Sequence, residues 1–290
     1  MRCRFVEVSG TQLYVRQWGE GEAAVVYWDG LGGSGLHANE IAPILSDRYG
    51  LRVIAPDPPG HGRSAALPLA SYRPSVLAEL AAGLLDGLDV ALAGFVGFSW
   101  GAQIACSFGA RFPERTFGLV LIDGGYFEWR DVPGVDFGAS LTGCIADAGR
   151  ESDAAPFASW DAYFAAERQA LRRWTPALEE AHRAMRREED GNVVPIAGPD
   201  VEGAVRYWGY REPVTETYPL LAEKGVPVLL LTAPAGADYR SAARAAVQRF
   251  RAALPRAVVR SVPGGHDLVS DAGPEVAEIA GRWLTASSTG

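Results

Sequence analysis

Lysine is almost missing from this chain. Lys224 is the only one, so positive charge rests on arginine, and no basic run forms. The net charge is −8 at pH 7. Charge-driven binding to nucleic acid or to an anionic membrane is therefore excluded as an expectation. Cysteine is also scarce. Cys3, Cys106 and Cys144 are odd in number and scattered, so they imply neither a disulfide framework nor a metal site. A reducing compartment follows as the default. No segment approaches the roughly 18 apolar residues of a membrane span. The N-terminus has no apolar signal core before its strand-like alternation begins. These absences predict a soluble, cytoplasmic protein with no metal and no cofactor.

What remains is enough for a large core, since 48% of the 290 residues are apolar. Residues 4–8 and 12–18 flank Ser9-Gly10, a hairpin signal. Short apolar runs at 23–28, 51–55, 90–98, 117–122, 226–231 and 258–262 read as buried strands. Helical spacing appears at 38–48, 74–88, 101–112, 241–254 and 274–284. Strands alternating with helices predict a mostly parallel sheet covered on both faces. The stretch 125–221 breaks that rhythm. It is rich in helix formers and aromatics and reads as a helical cap inserted into a core of 1–124 and 222–290.

One junction carries chemistry. Gly97-Phe98-Ser99-Trp100-Gly101 lies between an apolar strand and a helix. A strand that reverses into a helix this tightly strains its central residue and needs small flanking residues. Ser99 Oγ would stand above the sheet at the positive end of the helix. A serine hydroxyl needs a general base. Of four histidines, His266 follows the last predicted strand, and strand ends on one sheet edge converge. His61, in Gly60-His61-Gly62, reads as a turn brace, His182 as solvated on a charged helix, and His37 has no evident role.

The order of features resembles the α/β-hydrolase superfamily. The residues that carry the likeness are Asp29-Gly30-Leu31-Gly32-Gly33, Asp57-x-x-Gly60-His61-Gly62-x-Ser64, the Gly97–Gly101 turn and Gly265-His266-Asp267. The resemblance implies an eight-stranded, mostly parallel sheet with a cap between strands six and seven. It implies a Ser-His-Asp triad and an oxyanion hole from the backbone N–H groups of Leu31 and Trp100. The family usually places the triad acid after strand seven, where Asp238 comes late; some members place it after strand six, where Asp123 stands. Asp123 is preferred and Asp238 is the alternative. Most capped members carry His-Gly at the oxyanion loop, whereas this chain has Asp29-Gly30. A carboxylate about 6 Å from a developing oxyanion would oppose it by about 3 kcal/mol, roughly a hundredfold in rate. Either Asp29 turns away to accept backbone N–H bonds, or it takes part in substrate binding or in chemistry other than hydrolysis.

Three rival readings stay open. Gly30-Leu31-Gly32-Gly33-Ser34-Gly35, with Asp57 after the next strand, fits an NAD(P)-binding fingerprint of the Rossmann type. The same fold also hosts cyclases, epimerases and lyases of secondary metabolism, and inert binding proteins. Among the cap aromatics, Tyr126, Trp129, Trp160 and Trp208 are candidates to line an apolar pocket over Ser99. The expected partner is a mid-sized hydrophobic small molecule with an ester, thioester or lactone bond. Arg186, Arg187, Glu188 and Glu189 are read as part of a solvated helix surface, and 190–195 as a turn between cap helices.

Overall fold

A computed structural model describes residues 1–131, 140–150, 155–234 and 240–288. Eight strands form the main sheet: β1 (Arg2–Val8), β2 (Thr11–Trp18), β3 (Ala24–Trp28), β4 (Arg52–Pro56), β5 (Ala93–Phe98), β6 (Thr116–Ile122), β9 (Val228–Thr232) and β10 (Val258–Ser261). Their spatial order is β1-β2-β4-β3-β5-β6-β9-β10. Only β2 runs opposite to the rest, antiparallel to both of its neighbours, β1 and β4. The inner strands β3, β5 and β6 are buried along their whole length, as continuous apolar runs predict for a sheet covered on both faces.

Period-two alternation divides the core. Val26, Trp28 and Phe95 face α2 (Pro74–Asp86) and α3 (Trp100–Arg111). Val25, Tyr27, Val96 and Phe98 face α1 (Ala42–Tyr49) and α10 (Leu268–Ser288). The helix expected over 38–48 is split into a 3-10 turn, Gly35–Glu40, and α1, with Pro43 in the first turn of the second piece. Helix α10 starts earlier than the 274 expected and kinks at Ala272, just before Pro274.

Between the hydrogen-bonded neighbours β6 and β9 lie α4 (Leu141–Ala148), α5 (Trp160–Ala170), α6 (Pro176–Arg183), a hairpin, α7 (Pro199–Arg211) and α8 (Tyr218–Glu223). The hairpin corrects the reading of 186–195. Strands β7 (Arg186–Glu189) and β8 (Asn192–Pro195) pair antiparallel, so Arg186 to Glu189 lie on a strand and not on a helix. Asp190 and Gly191, at φ 48° and 75°, form the turn that an Asp-Gly pair favours. The all-charged run Arg186-Arg187-Glu188-Glu189 hid this strand, because neither face of it is apolar. A compact apolar cluster of Tyr163, Phe164 and Val193, flanked by the aromatic rings of Phe157, Trp160 and Trp174, holds this part together. Helix α9 (Arg240–Ala253) covers the sheet between β9 and β10.

Candidate active site

Ser99 sits where β5 turns into α3, at φ 51° and ψ −114°. This is a strained conformation for a non-glycine residue, and such strain concentrates at functional turns. The turn closes only because its flanks are bare. A Cβ on Gly97 would lie 2.3 Å from the Gly101 carbonyl oxygen, and one on Gly101 would lie 2.1 Å from that of Trp28. The Ser99 N–H donates to the Ile122 carbonyl at 2.8 Å, which ties the turn to the end of β6.

A chain of hydrogen bonds leads from this serine. Ser99 Oγ lies 2.9 Å from His266 Nε2. His266 Nδ1 lies 2.7 Å from Asp123 Oδ2. The other carboxylate oxygen, Oδ1, accepts from the Ala233 N–H at 3.0 Å and from the Tyr126 hydroxyl at 3.1 Å. Asp123 is buried and holds φ 40°, with its own N–H donating to the Leu231 carbonyl. His266 is the accessible member, with its side chain 63% exposed and its ring against Phe98. Partial burial opposes charging of His266, but the hydrogen bond and charge of Asp123 more than offset it, so its pKa lies above the ordinary histidine value.

The loop after β3 packs against the serine. A Cβ on Gly30 would lie 3.2 Å from Ser99 Cβ. Leu31 follows Gly30 in this loop, and Trp100 opens α3, so both predicted oxyanion donors flank Ser99. Neither N–H has an acceptor among the described residues. The loop is braced from below. His61 Nε2 accepts from the Gly32 N–H at 3.0 Å, and its Nδ1 donates to the Pro59 carbonyl. Burial lowers the His61 pKa, which keeps that acceptor neutral.

Asp29 is fully buried and turned into the loop. Its carboxylate accepts from the Ser34 N–H at 2.7 Å, from the Tyr27 hydroxyl at 3.0 Å and from His37 Nδ1 at 3.0 Å. A substrate-binding role for Asp29 does not fit this burial. Asp57 is likewise engaged, by Arg16 and by the Gly35 and Arg63 N–H groups, so no carboxylate is offered to a ribose.

Three of the four aromatics named for the pocket are placed, and each has another partner. Tyr126 bonds the Asp123 carboxylate. Trp160 stacks on Phe164 within the aromatic cluster and donates to Glu188. Trp208 donates to the Leu69 carbonyl and lies under Arg73. The side chain of Trp129 and all of Asp238 lie outside the described residues. Sequence reading also misplaced His182. It is 5% exposed, not solvated, and meets His37, Asp267 and Ser270 where α6 packs on the core. These residues lie far apart in the chain, so no spacing could have announced them. They form the one His/Asp group among the described residues that could hold a metal.

The α/β hydrolase fold family matches residues 23–272. The chain belongs to that family. Among curated α/β hydrolases, it is 33% identical over 121 residues to the 2-hydroxy-6-oxo-6-phenylhexa-2,4-dienoate hydrolase of Burkholderia cepacia, covering 41% of this chain and 42% of that one. It is 30% identical over 135 residues to the uncharacterized hydrolase YugF of Bacillus subtilis, 46% of this chain and 49% of that. These matches span less than half the length of the relatives. Among solved structures, the thioesterase domain of the curacin biosynthetic pathway superposes with TM-score 0.79 at 21% identity, over 96% of this chain and 98% of that. An E-2-(acetamidomethylene)succinate hydrolase superposes with TM-score 0.77 at 23% identity, over 98% of both chains. The fold of this α/β hydrolase is thus shared almost end to end, and its Rossmann-type fingerprint belongs to the loop that wraps Asp29.

Proposed function

We propose that the protein is a serine hydrolase in which Ser99, His266 and Asp123 act as nucleophile, base and orienting acid. The observation that carries this reading is the unbroken hydrogen-bond chain from Ser99 Oγ through both ring nitrogens of His266 to Asp123. As Oγ attacks a carbonyl carbon, its proton passes to His266 Nε2. Asp123 stabilises the imidazolium through Nδ1–H. The Leu31 and Trp100 N–H groups receive the carbonyl oxygen as it becomes an oxyanion. Collapse of the adduct expels the leaving group, which takes the proton from Nε2. His266 then removes a proton from water, and attack on the acyl-enzyme returns Ser99.

The substrate class that fits is a mid-sized hydrophobic ester, thioester or lactone. In this reading 125–221 forms the cap over Ser99, and the protein works in the cytoplasm with its cysteines free. A second reading is favoured by the names of the curated relatives: hydrolysis of a C–C bond beside a carbonyl, as in 2-hydroxy-6-oxo-6-phenylhexa-2,4-dienoate. Labelling by a fluorophosphonate, with adduct mapping to Ser99, tests the nucleophile; no adduct on Ser99 overturns it. Turnover of p-nitrophenyl esters against that dienoate separates the two substrate classes. Incorporation of 18O from labelled water into the product tests hydrolysis itself. A product without 18O would point to a cyclase, epimerase or lyase.

A further inference from the structure

The group around His37 is built more like a cation site than like a core contact. One ligand atom each from His37, His182 and Asp267 lies within 4.8 Å of the others. His37 stands on the 3-10 turn after β3, His182 on α6, and Asp267 just ahead of α10. Both histidines are almost fully buried, at 3% and 5% exposure. Each has its outer nitrogen already held. His37 Nδ1 donates to the Asp29 carboxylate, 3.0 and 3.2 Å from its two oxygens. His182 Nδ1 meets the Tyr163 hydroxyl at 3.1 Å and Glu167 Oε2 at 3.5 Å. A carboxylate on the far nitrogen fixes the tautomer and raises the basicity of the near one, as it does for metal-ligating imidazoles.

The inner space has too few protons. With Nδ1 protonated on each ring, both Nε2 atoms present lone pairs, and Asp267 adds an anion. His37 Nε2 lies 3.5 Å from Asp267 Oδ1. The donor between them is Ser270 Oγ, 2.9 Å from His37 Nε2 and 3.4 Å from His182 Nε2. One hydroxyl proton cannot serve two nitrogens and a carboxylate. The Ser270 N–H satisfies part of Asp267, at 2.9 Å. A cation held between the three groups would meet the rest of the shortage, and the carboxylates of Asp29 and Asp267 together match a charge of +2.

We propose that His37, His182 and Asp267 bind one Zn2+ ion, which staples α6 to the core behind the loop that carries His266. Two imidazoles and one carboxylate are a usual zinc set, and Ser270 Oγ or water can complete four-coordination. The site is separate from the Ser99 chain and does not depend on the function proposed above. Sequence spacing signalled no such site, because 145 residues separate the two histidines.

Titration of chelator-treated protein with Zn2+ by calorimetry tests this, in a Cys3→Ser background that removes the exposed thiol. One saturable equivalent is expected, with a rise of several degrees in Tm. Amide exchange in α6 should slow when the ion binds. His182→Gln and Asp267→Asn should each weaken binding about 100-fold or more, while cooperative thermal unfolding reports that each variant is folded. Should a variant not fold, Co2+ added to the protein with His37, His182 and Asp267 unaltered decides: four-coordinate binding gives intense visible absorption. Absence of saturable Zn2+ binding up to millimolar concentration overturns the proposal, as does binding undiminished in both variants or weak, octahedral Co2+ absorption. A proton on His37 would then be the cation that closes the group.

Discussion

The sheet edge and the segment between β6 and β9 are built on opposite plans. At the sheet edge, backbone geometry does the positioning. Ser99 and Asp123 stand at the ends of adjacent parallel strands, both at positive φ, with their N–H groups bonded to the next strand. In the inserted segment, side chains do it. Trp160, Tyr163, Phe164, Trp174 and His182 form a chain of ring contacts between helices that share no sheet. The difference teaches where error is tolerated. A backbone turn admits almost no change, whereas an aromatic cluster can repack.

The sharpest way to break this comparison is at the proposed triad of Ser99, His266 and Asp123. Ser99→Ala should lower kcat/KM by about 10^4-fold or more, and Asp123→Asn by about 10^3- to 10^4-fold through loss of the correct imidazole tautomer. Steady-state kinetics on whichever ester is turned over would show it. If Asp238→Asn has that effect and Asp123→Asn does not, the strand-end geometry is not what orients His266.

Next in size is one substitution made in both regions. Gly97→Ala places a Cβ 2.3 Å from a backbone oxygen with nowhere to move, and should destabilise by about 3 kcal/mol or more. Gly191→Ala in the hairpin meets nothing within 4 Å and pays only for φ 75°, about 1 kcal/mol. Urea unfolding of both variants compares the two directly. Equal losses would mean that the turn at Ser99 is no tighter than a surface hairpin.

The same contrast decides what sequence could reveal. The turn Gly97–Gly101, the runs that became β3 to β6 and the placement of His266 on the sheet edge are local patterns with local physical causes, so they were legible. Asp123 was legible as a strand-end acid, though not its partners Tyr126 and Ala233. The hairpin at β7 and β8 was not, since Arg186-Arg187-Glu188-Glu189 alternates in neither polarity nor size. The burial of His182 was also hidden. Charged residues surround it in sequence, and it leaves the water through tertiary contacts with His37, Tyr163 and Trp174.

Smaller effects refine the site. Tyr126→Phe removes one of the two donors to Asp123 Oδ1 and should lower kcat about tenfold, with KM little changed. A change in KM alone would mean that Tyr126 meets substrate and not the acid. His61 gives a pH signature. Its folded pKa is lowered by burial, so the unfolded chain takes up a proton that the folded one refuses as pH falls below about 6.5. The His61 contribution to stability should therefore decline from pH 7 toward pH 5, by at most about 1.4 kcal/mol per pH unit. His61→Gln keeps an acceptor for the Gly32 N–H and should flatten that slope.

The smallest effect is expected at Trp160. Its indole N–H donates to Glu188 at 2.6 Å on an exposed surface, while its ring stacks on Phe164 and under the Arg183 guanidinium. Trp160→Phe preserves the stacking and gives up only an exposed, solvent-screened hydrogen bond. The loss of stability should be about 0.5 kcal/mol, and KM should stay within about twofold. Chemical unfolding and steady-state kinetics measure the two. A tenfold rise in KM would be informative, because it would carry the substrate pocket into the aromatic cluster. The inserted segment would then share the positioning work that the sheet edge otherwise does alone.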